Sequence, residues 1–185
     1  PELLVPAYGA ANCTIGKTID FTDEDGRLLL RLARCDLPGG QHCMFPMSCW
    51  HRQGDWFRRT LFVPCEAPLP LLHLGRLAYA PEGAVLLVDL PELAHDLQAA
   101  LERPANQHGT DLTGRETVTS WYGGDEGIRK VDWSPLVGRR VPYLICRHSG
   151  KSWIEACATA ARVYRHLMPR GVEVELFDCW PEPHE

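Results

Sequence analysis

The first candidate for chemistry is a carboxylate, Asp89, which directly follows the continuous apolar run Ala84–Val88. An acid at the end of a buried strand suits Mg²⁺ or Mn²⁺, because these ions prefer one or two carboxylates together with waters and phosphate. Glu92, three residues later, is a second candidate catalytic acid. The residue types favour another role for Asp89, since Asp is a preferred N-cap and a helical pattern runs from Glu92 to Leu101.

A second candidate is the loop Cys146–Ser152, whose Gly-Lys-Ser ending is similar to a phosphate-binding loop. That motif needs a glycine five residues before its second glycine, and Ile145 stands there instead. Arg147, Lys151 and Ser152 still form a candidate phosphate or nucleic-acid site, because the amino end of a helix attracts anions. The alternative is a helix capped by Ser152, with Lys151 in solvent.

Two further groups are candidates for contact with nucleic acid. Trp121 could stack on a base, while Gly123 and Gly124 let the backbone approach a ligand closely. Arg58 and Arg59 lie in a strand pattern with interleaved tryptophans, which is compatible with single-stranded nucleic acid. Each group also has an ordinary alternative, namely packing for the aromatic residues and a solvated strand face for the arginines.

The chain has eight cysteines and no Cys-x-x-Cys pair. Its densest group of potential zinc ligands is Cys35, His42, Cys43, Cys49 and His51, whose spacings are irregular for a zinc site. The first residues show no signal-peptide pattern. We therefore expect a cytoplasmic protein whose reduced cysteines serve as small core hydrophobes.

The elements that must position these residues follow two patterns. Residues 18–63 contain alternating apolar runs separated by turn signals such as Asp23–Gly26, which predicts an antiparallel meander of three or four strands. After residue 84, strand and helix patterns alternate, which predicts a mostly parallel sheet flanked by helices. The predicted fold class is α/β (α+β overall). We expect domains at 1–68 and 69–185, with the Pro-rich stretch 64–70 at their boundary.

In a parallel sheet, ligands bind beyond the carboxyl ends of the strands. The loops that begin at Asp89, Trp121, Cys146 and Asp178 are therefore expected to surround any site. Asp89, Trp121 and the Cys146–Ser152 segment all belong to these loops, so the rule selects them independently of any motif.

Composition limits the partners. Apolar residues make up 45% of the 185 residues and charged residues 23%, which is typical of a soluble globular protein. No apolar run approaches the roughly 20 residues that a membrane span needs. The net charge of −5 means that any contact with nucleic acid must be local, because duplex-binding domains are usually basic.

The second half of the sequence resembles the Toprim domain of phage- and plasmid-type primases, which is often fused to a helicase. The resemblance is carried by Ala84–Asp89, Thr119–Gly124 and Val131–Arg139, in this order, and most specifically by the Asp-Trp-Ser-Pro-Leu segment. The first half is also similar to the region that precedes the core in those primases. The resemblance implies a role in DNA replication of a phage or other mobile element. It also implies single-stranded DNA or RNA as ligand and a helicase or other replication protein as partner.

The metal motifs of that family are altered in this chain. The family's first motif ends in Glu, whereas Asp89 stands here and Glu92 comes one position late for the second acid. The family's Asp-x-Asp positions correspond to Cys146 and His148, which are poor ligands for Mg²⁺. We therefore expect that metal-dependent nucleotidyl transfer is lost. Asp89, Cys146 and His148 could hold zinc instead.

The resulting hypothesis is a degenerate Toprim-like domain that binds nucleic acid or acts as a scaffold in a primase or replication protein. One alternative is an active phosphoryl- or nucleotidyl-transfer enzyme, with Asp89 binding metal and Lys151 and Ser152 binding phosphate. Another is a protein-interaction module, since fold does not fix function. Salt-sensitive binding of a single-stranded oligonucleotide would favour the first hypothesis.

Overall fold

The structure, a computed structural model, describes residues 14–36, 42–52, 55–59, 68–102, 116–145 and 152–178. The chain divides into two compact units, residues 1–66 and 67–185. The first contains an antiparallel sheet and the second a parallel sheet flanked by helices, so the predicted α/β fold class is confirmed. No helix within the described ranges has the length and apolar character needed to cross a membrane.

The first unit is a four-stranded meander in the order β1-β2-β3-β4. Its strands are β1 (Thr14–Thr22), β2 (Leu28–Asp36), β3 (His42–Arg52) and β4 (Asp55–Arg59). Neighbouring strands are antiparallel throughout, as the alternating sequence pattern predicts.

The β1–β2 hairpin illustrates how local chemistry sets the register of this sheet. The Asp23 carboxylate accepts hydrogen bonds from the backbone N–H groups of Asp25 and Arg27, which closes the turn. Asp20 and Arg31 then stand directly opposite each other and form a two-bond ion pair. Ile19 and Phe21, on either side of Asp20, are fully buried, so a one-residue slip would move these apolar side chains to the solvent face.

The second unit contains a parallel sheet in the order β6-β5-β7-β8. Its elements, in chain order, are α1 (Leu74–Tyr79), β5 (Val85–Val88), α2 (Pro91–Leu101), β6 (Thr117–Thr119), α3 (Gly124–Gly127), β7 (Arg140–Ile145), α4 (Trp153–Leu167) and β8 (Glu173–Asp178). Two 3-10 turns, Ser134–Leu136 and Met168–Arg170, lie before β7 and after α4. This order confirms the mostly parallel sheet flanked by helices that the sequence predicts after residue 84.

The core of this unit lies between the sheet and its helices. The central strand β5 buries Val85, Leu87 and Val88, as its uninterrupted apolar run predicts. Helix α4 packs against β7 and β8 through small and branched side chains at helical spacing, and α2 packs against β5 and β6. The buried residues of α4 are Ala156, Thr159, Ala160, Val163 and Leu167. Full burial of a side chain such as Leu167 contributes about 1.5–3 kcal/mol.

Strand β6 lies at the edge of the sheet, and side chains satisfy its outer backbone groups. The N–H of Val118 donates to the Gln98 side chain at 2.8 Å, and Nδ1 of His73 donates to the Val118 carbonyl oxygen at 2.7 Å. His73 adopts a left-handed backbone conformation (φ 58°) to reach this position, and its ring stacks on His95 with centroids 6.1 Å apart. The side chains of Gln98 and His73 therefore pair with backbone groups of Val118 that the sheet edge would otherwise leave unpaired.

The first prediction concerns the pH dependence of this edge. Burial, the largest influence, lowers the pKa of His73 below its ordinary value of 6.5, the Val118 hydrogen bond opposes the shift, and His95 adds to it. The unfolded chain therefore binds more protons below pH 6.5, so the stabilisation is complete above that pH and is lost as the pH falls towards the lower folded value. We expect the free energy of unfolding to fall in urea titrations between about pH 7 and pH 5.

The matched variant is His73→Asn, because Asn tolerates a positive φ and its amide N–H can replace Nδ1–H. This variant should lose part of the pH dependence while keeping the fold. An identical pH dependence in the two proteins would contradict the assignment to His73.

Candidate functional site

The strand order defines where a ligand of the second unit would bind. The chain adds β6 on one side of β5 and then places β7 on the other, so the order reverses between β5 and β7. Leu87 and Val88 pair with Tyr143 and Leu144 of β7, and Asp89 follows directly after them. Asp89 therefore stands at the carboxyl edge of the sheet at its topological switch point, where open α/β sheets bind ligands.

Asp89, whose residue type favours an N-cap, is not the N-cap residue of α2. The N-cap of α2 is Leu90, which makes no side-chain capping bond, and Pro91 occupies the first helical turn. Asp89 is only 7% exposed, although carboxylates are rarely buried. Glu92 lies in the first turn of α2 and is half-buried, where its charge complements the helix dipole. Of the two candidate acids, Asp89 is the one at the switch point.

The residues at this edge do not match the ligand set that Mg²⁺ or Mn²⁺ prefers. Among the described residues, no group of three or more His, Cys, Asp or Glu side chains could hold a metal ion. Cys146 and His148, the other two candidate ligands, lie outside the described residues. Their thiol and imidazole groups are softer donors than the oxygens that Mg²⁺ requires. The donor chemistry of Asp89, Cys146 and His148 therefore does not fit a magnesium centre.

The amino end of α4 is occupied by its own carboxylate. Ser152 and Glu155 form a capping box: Ser152 Oγ accepts from the Glu155 N–H at 3.3 Å, and the Ser152 N–H donates to Glu155 Oε2 at 2.7 Å. The negative charge of Glu155 stands where a phosphate would bind, so Ser152 serves the helix cap. Arg147 and Lys151, the basic residues predicted for this loop, lie outside the described residues.

Trp121 is part of the core, and this corrects its prediction as a base-stacking residue. The side chain is 1% exposed, and its indole N–H donates to the Gly124 carbonyl oxygen at 2.7 Å. It packs edge-on against Trp133 at a centroid distance of 5.7 Å and stacks on Tyr143 at 6.3 Å. A buried indole presents no face to a base, so packing is the role that the structure gives it.

The backbone geometry also explains why glycines follow Trp121. Gly123 has a left-handed backbone (φ 92°) as the N-cap of α3. A Cβ at Gly127 would overlap the carbonyl oxygen of Tyr122 and lie 3.0 Å from its carbonyl carbon. Gly124 also has a positive φ, of 55°, but a Cβ there meets nothing within 4 Å. The Gly-Gly pair therefore forms a tight turn into α3.

The Asp-Trp-Ser-Pro-Leu segment packs against the turn that follows Trp121. The Trp133 indole N–H donates to the Ile128 carbonyl oxygen at 2.8 Å, and the Asp132 carboxylate accepts from the Ser134 N–H at 2.9 Å. Leu136 is fully buried. The most specific part of the family resemblance therefore consists of packing and turn residues.

The arginines predicted in the first unit lie on β4. Arg58 stands opposite Cys49 and Arg59 opposite Ser48 in the β3–β4 register, and their side chains lie outside the described residues. Of the potential zinc ligands in this unit, Cys35 is buried on β2. Its backbone partner in the register is Cys43. The structure thus locates these residues on the meander without testing either role.

A basic pocket that the sequence analysis did not single out lies beside α3 and α4. It has a volume of about 800 Å³ and is lined by Arg129, Lys130, Arg162, Arg165 and His166, together with two acids and Ile128. The signals present in the sequence were the Arg129-Lys130 pair and the i, i+3 spacing of Arg162 and Arg165 on α4. These signals lie more than 30 residues apart, so only the fold brings them together.

The sequence and the structure were compared with family models, curated proteins and solved structures, and none of the three comparisons finds a match. The function must therefore be argued from the fold and from the chemistry of the site.

The second prediction tests the turn after Trp121. Gly127→Ala should lower the free energy of unfolding by about 1–3 kcal/mol, because the new methyl group overlaps the Tyr122 backbone. Gly124→Asn is the matched control, since its position is open and Asn tolerates a left-handed backbone. Urea denaturation measures both. Equal stability of Gly127→Ala and the parent chain would show that the turn is not the constraint described here.

Proposed function

We propose that this chain is a degenerate Toprim-like domain of a phage- or plasmid-type primase or other replication protein. In this proposal the domain binds single-stranded nucleic acid and carries out no metal-dependent nucleotidyl transfer. A helicase domain or another replication protein would be its partner, and the cytoplasm its compartment. The scaffold role is kept as the second form of the same hypothesis.

One observation carries the proposal: a single buried acid, Asp89, stands at the switch point of a parallel sheet whose other candidate ligands are a thiol and an imidazole. The position suits the first metal motif of the resembled family, and the strand order supports a ligand crevice at this edge. The residues matching the second motif, Cys146 and His148, lack the hard oxygens that such a centre needs.

Loss of those oxygens argues against phosphoryl transfer at this edge. Phosphoryl and nucleotidyl transfer require positive charge next to the phosphates, and divalent metal ions bound by carboxylates commonly supply it. Asp89 alone offers one such ligand. Binding without chemistry is the function that this donor set supports best.

The active-enzyme alternative rests on Asp89 together with Lys151 and Ser152. In the capping box, both the N–H and the hydroxyl of Ser152 donate to Glu155 Oε2, at 2.7 Å. An arriving phosphate would have to displace that carboxylate or tolerate its charge, which disfavours this loop as a phosphate site.

The third prediction separates these two functions. Calorimetric titration of the wild-type chain with Mg²⁺ and with Mn²⁺ should show no specific binding, and Asp89→Ala should behave identically. Saturable binding that Asp89→Ala abolishes would overturn the proposal in favour of the metal-dependent enzyme. If such binding is found, primer extension or nucleotide turnover in Mn²⁺ then tests for catalysis.

The fourth prediction concerns the ligand. A fluorescently labelled single-stranded oligonucleotide of about 15 nucleotides should bind at low salt, and its affinity should fall linearly on a plot of log K against log salt. Fluorescence anisotropy measures this binding. Absence of binding at low salt would remove the nucleic-acid function and leave the scaffold form of the hypothesis.

A further inference from the structure

The basic pocket beside α3 and α4 has a charge opposite to that of the chain as a whole. Four permanent cations and two carboxylates line it, whereas the chain carries a net charge of −5. One of the carboxylates, Asp125, is engaged in an ion pair with Arg162. Within the described residues, Arg129, Lys130 and Arg165 have no carboxylate partner, and all three are exposed. The pocket therefore presents three available positive charges against one remaining carboxylate, that of Glu126.

Hydrogen bonds hold the residues around the pocket in place. Asp125 joins α3 to α4, because it also accepts a hydrogen bond from Thr159 Oγ1 at 2.8 Å. The backbone of Lys130 accepts from the Leu69 N–H at 2.7 Å, and Trp133 anchors Ile128 from beneath. A ligand therefore meets cations on a preorganised backbone, which lowers the entropic cost of binding.

His166 also lines the pocket, and the nearby cations influence its pKa. Its ring contacts Trp133 edge-on at a centroid distance of 6.4 Å. Burial is the largest influence lowering the pKa of His166, and repulsion from Arg170 and Arg129 adds to it. The cations that lower this pKa therefore come from two parts of the chain, the segment after α3 and the turn after α4. A bound anion would relieve this repulsion and raise the pKa of His166.

We infer that this pocket binds the phosphate backbone of single-stranded nucleic acid. The ligand must carry several negative charges, because three separate cations line an open volume of about 800 Å³, far larger than one phosphate. Ile128 is the one large apolar side chain among the described residues of the lining, and it is buried. Among the described residues that line the pocket, His166 has the only ring, and there is no tryptophan, tyrosine or phenylalanine to stack on a base. Recognition is therefore of phosphates, independent of base sequence.

This inference deepens the proposed function and rests on it, since it names the surface on which the oligonucleotide binds. It also replaces Trp121 and Ser152 with residues that are exposed and positively charged. Arg129 and Arg165 are the two side chains that the test removes, because Arg162 is already paired with Asp125.

The test compares two double variants with the same change in charge. Arg129→Ala/Arg165→Ala removes two cations from the pocket, whereas Arg76→Ala/Arg140→Ala removes two that form exposed ion pairs with Glu102 and Glu175. We expect the pocket variant to bind the labelled oligonucleotide roughly tenfold more weakly, with a salt slope smaller by about 1.4, or 0.7 for each lost phosphate contact. The control variant should bind as the wild type does.

Two outcomes overturn the inference in different ways. If the wild type binds the oligonucleotide and both double variants bind equally well, the nucleic-acid function stands and this surface is wrong. If the wild type binds no oligonucleotide, the proposed function fails, and a titration with tripolyphosphate followed through the His166 ring protons by NMR decides what the pocket does. A raised pKa of His166 in that arm would show a small-phosphate site and overturn the assignment to nucleic acid.

Discussion

The two buried tryptophans of the second unit determine how its central segment is arranged. Trp121 and Trp133 pack edge-on, and each must find an acceptor for its indole N–H because an unpaired buried donor is costly. The acceptors are the carbonyl oxygens of Gly124 and Ile128, which lie in the short segment between the tryptophans. These two bonds fold residues 121–133 back on themselves and require the tight turn into α3.

The arrangement fixed by the tryptophans has consequences on the surface. It holds α3 against α4, where Asp125 contacts both Thr159 and Arg162, and it leaves Arg129 and Lys130 exposed beside Arg165. A negatively charged chain thus acquires a positive surface through its fold. Electrostatic attraction of this kind acts over a Debye length of about 8 Å at physiological salt, so local charge matters more than net charge for a polyanion.

The carboxyl edge of the sheet differs from the basic pocket because its central residue, Asp89, is a buried acid. A buried acid at a switch point is a costly feature, and in related architectures such positions serve ligands. The other candidate ligands, Cys146 and His148, are softer donors than Mg²⁺ prefers, and the amino end of α4 is occupied by Glu155. Asp89 lies at this edge, and the basic pocket lies beside α3 and α4 in the same unit.

Much of the fold could be predicted from the sequence because the relevant forces are local. Alternation of apolar residues predicted the meander, the run Ala84–Val88 predicted the central strand, and Ser152 predicted the start of α4. Sequence patterns of this kind record which face of an element is buried, but not what covers it.

The fate of individual site residues depended on contacts between distant parts of the chain. Trp121 is equally compatible with a stacking platform and a core residue until Trp133 and Tyr143 are placed beside it. Asp89 is a good N-cap by type, yet the helix begins one residue too late for that role. The basic pocket combines residues 129–130 with residues 162–166, which no local pattern connects. The sequence alone therefore determined the elements and their order, because periodicity reflects local burial. Only the tertiary structure decided which side chains meet, because packing between elements sets those distances.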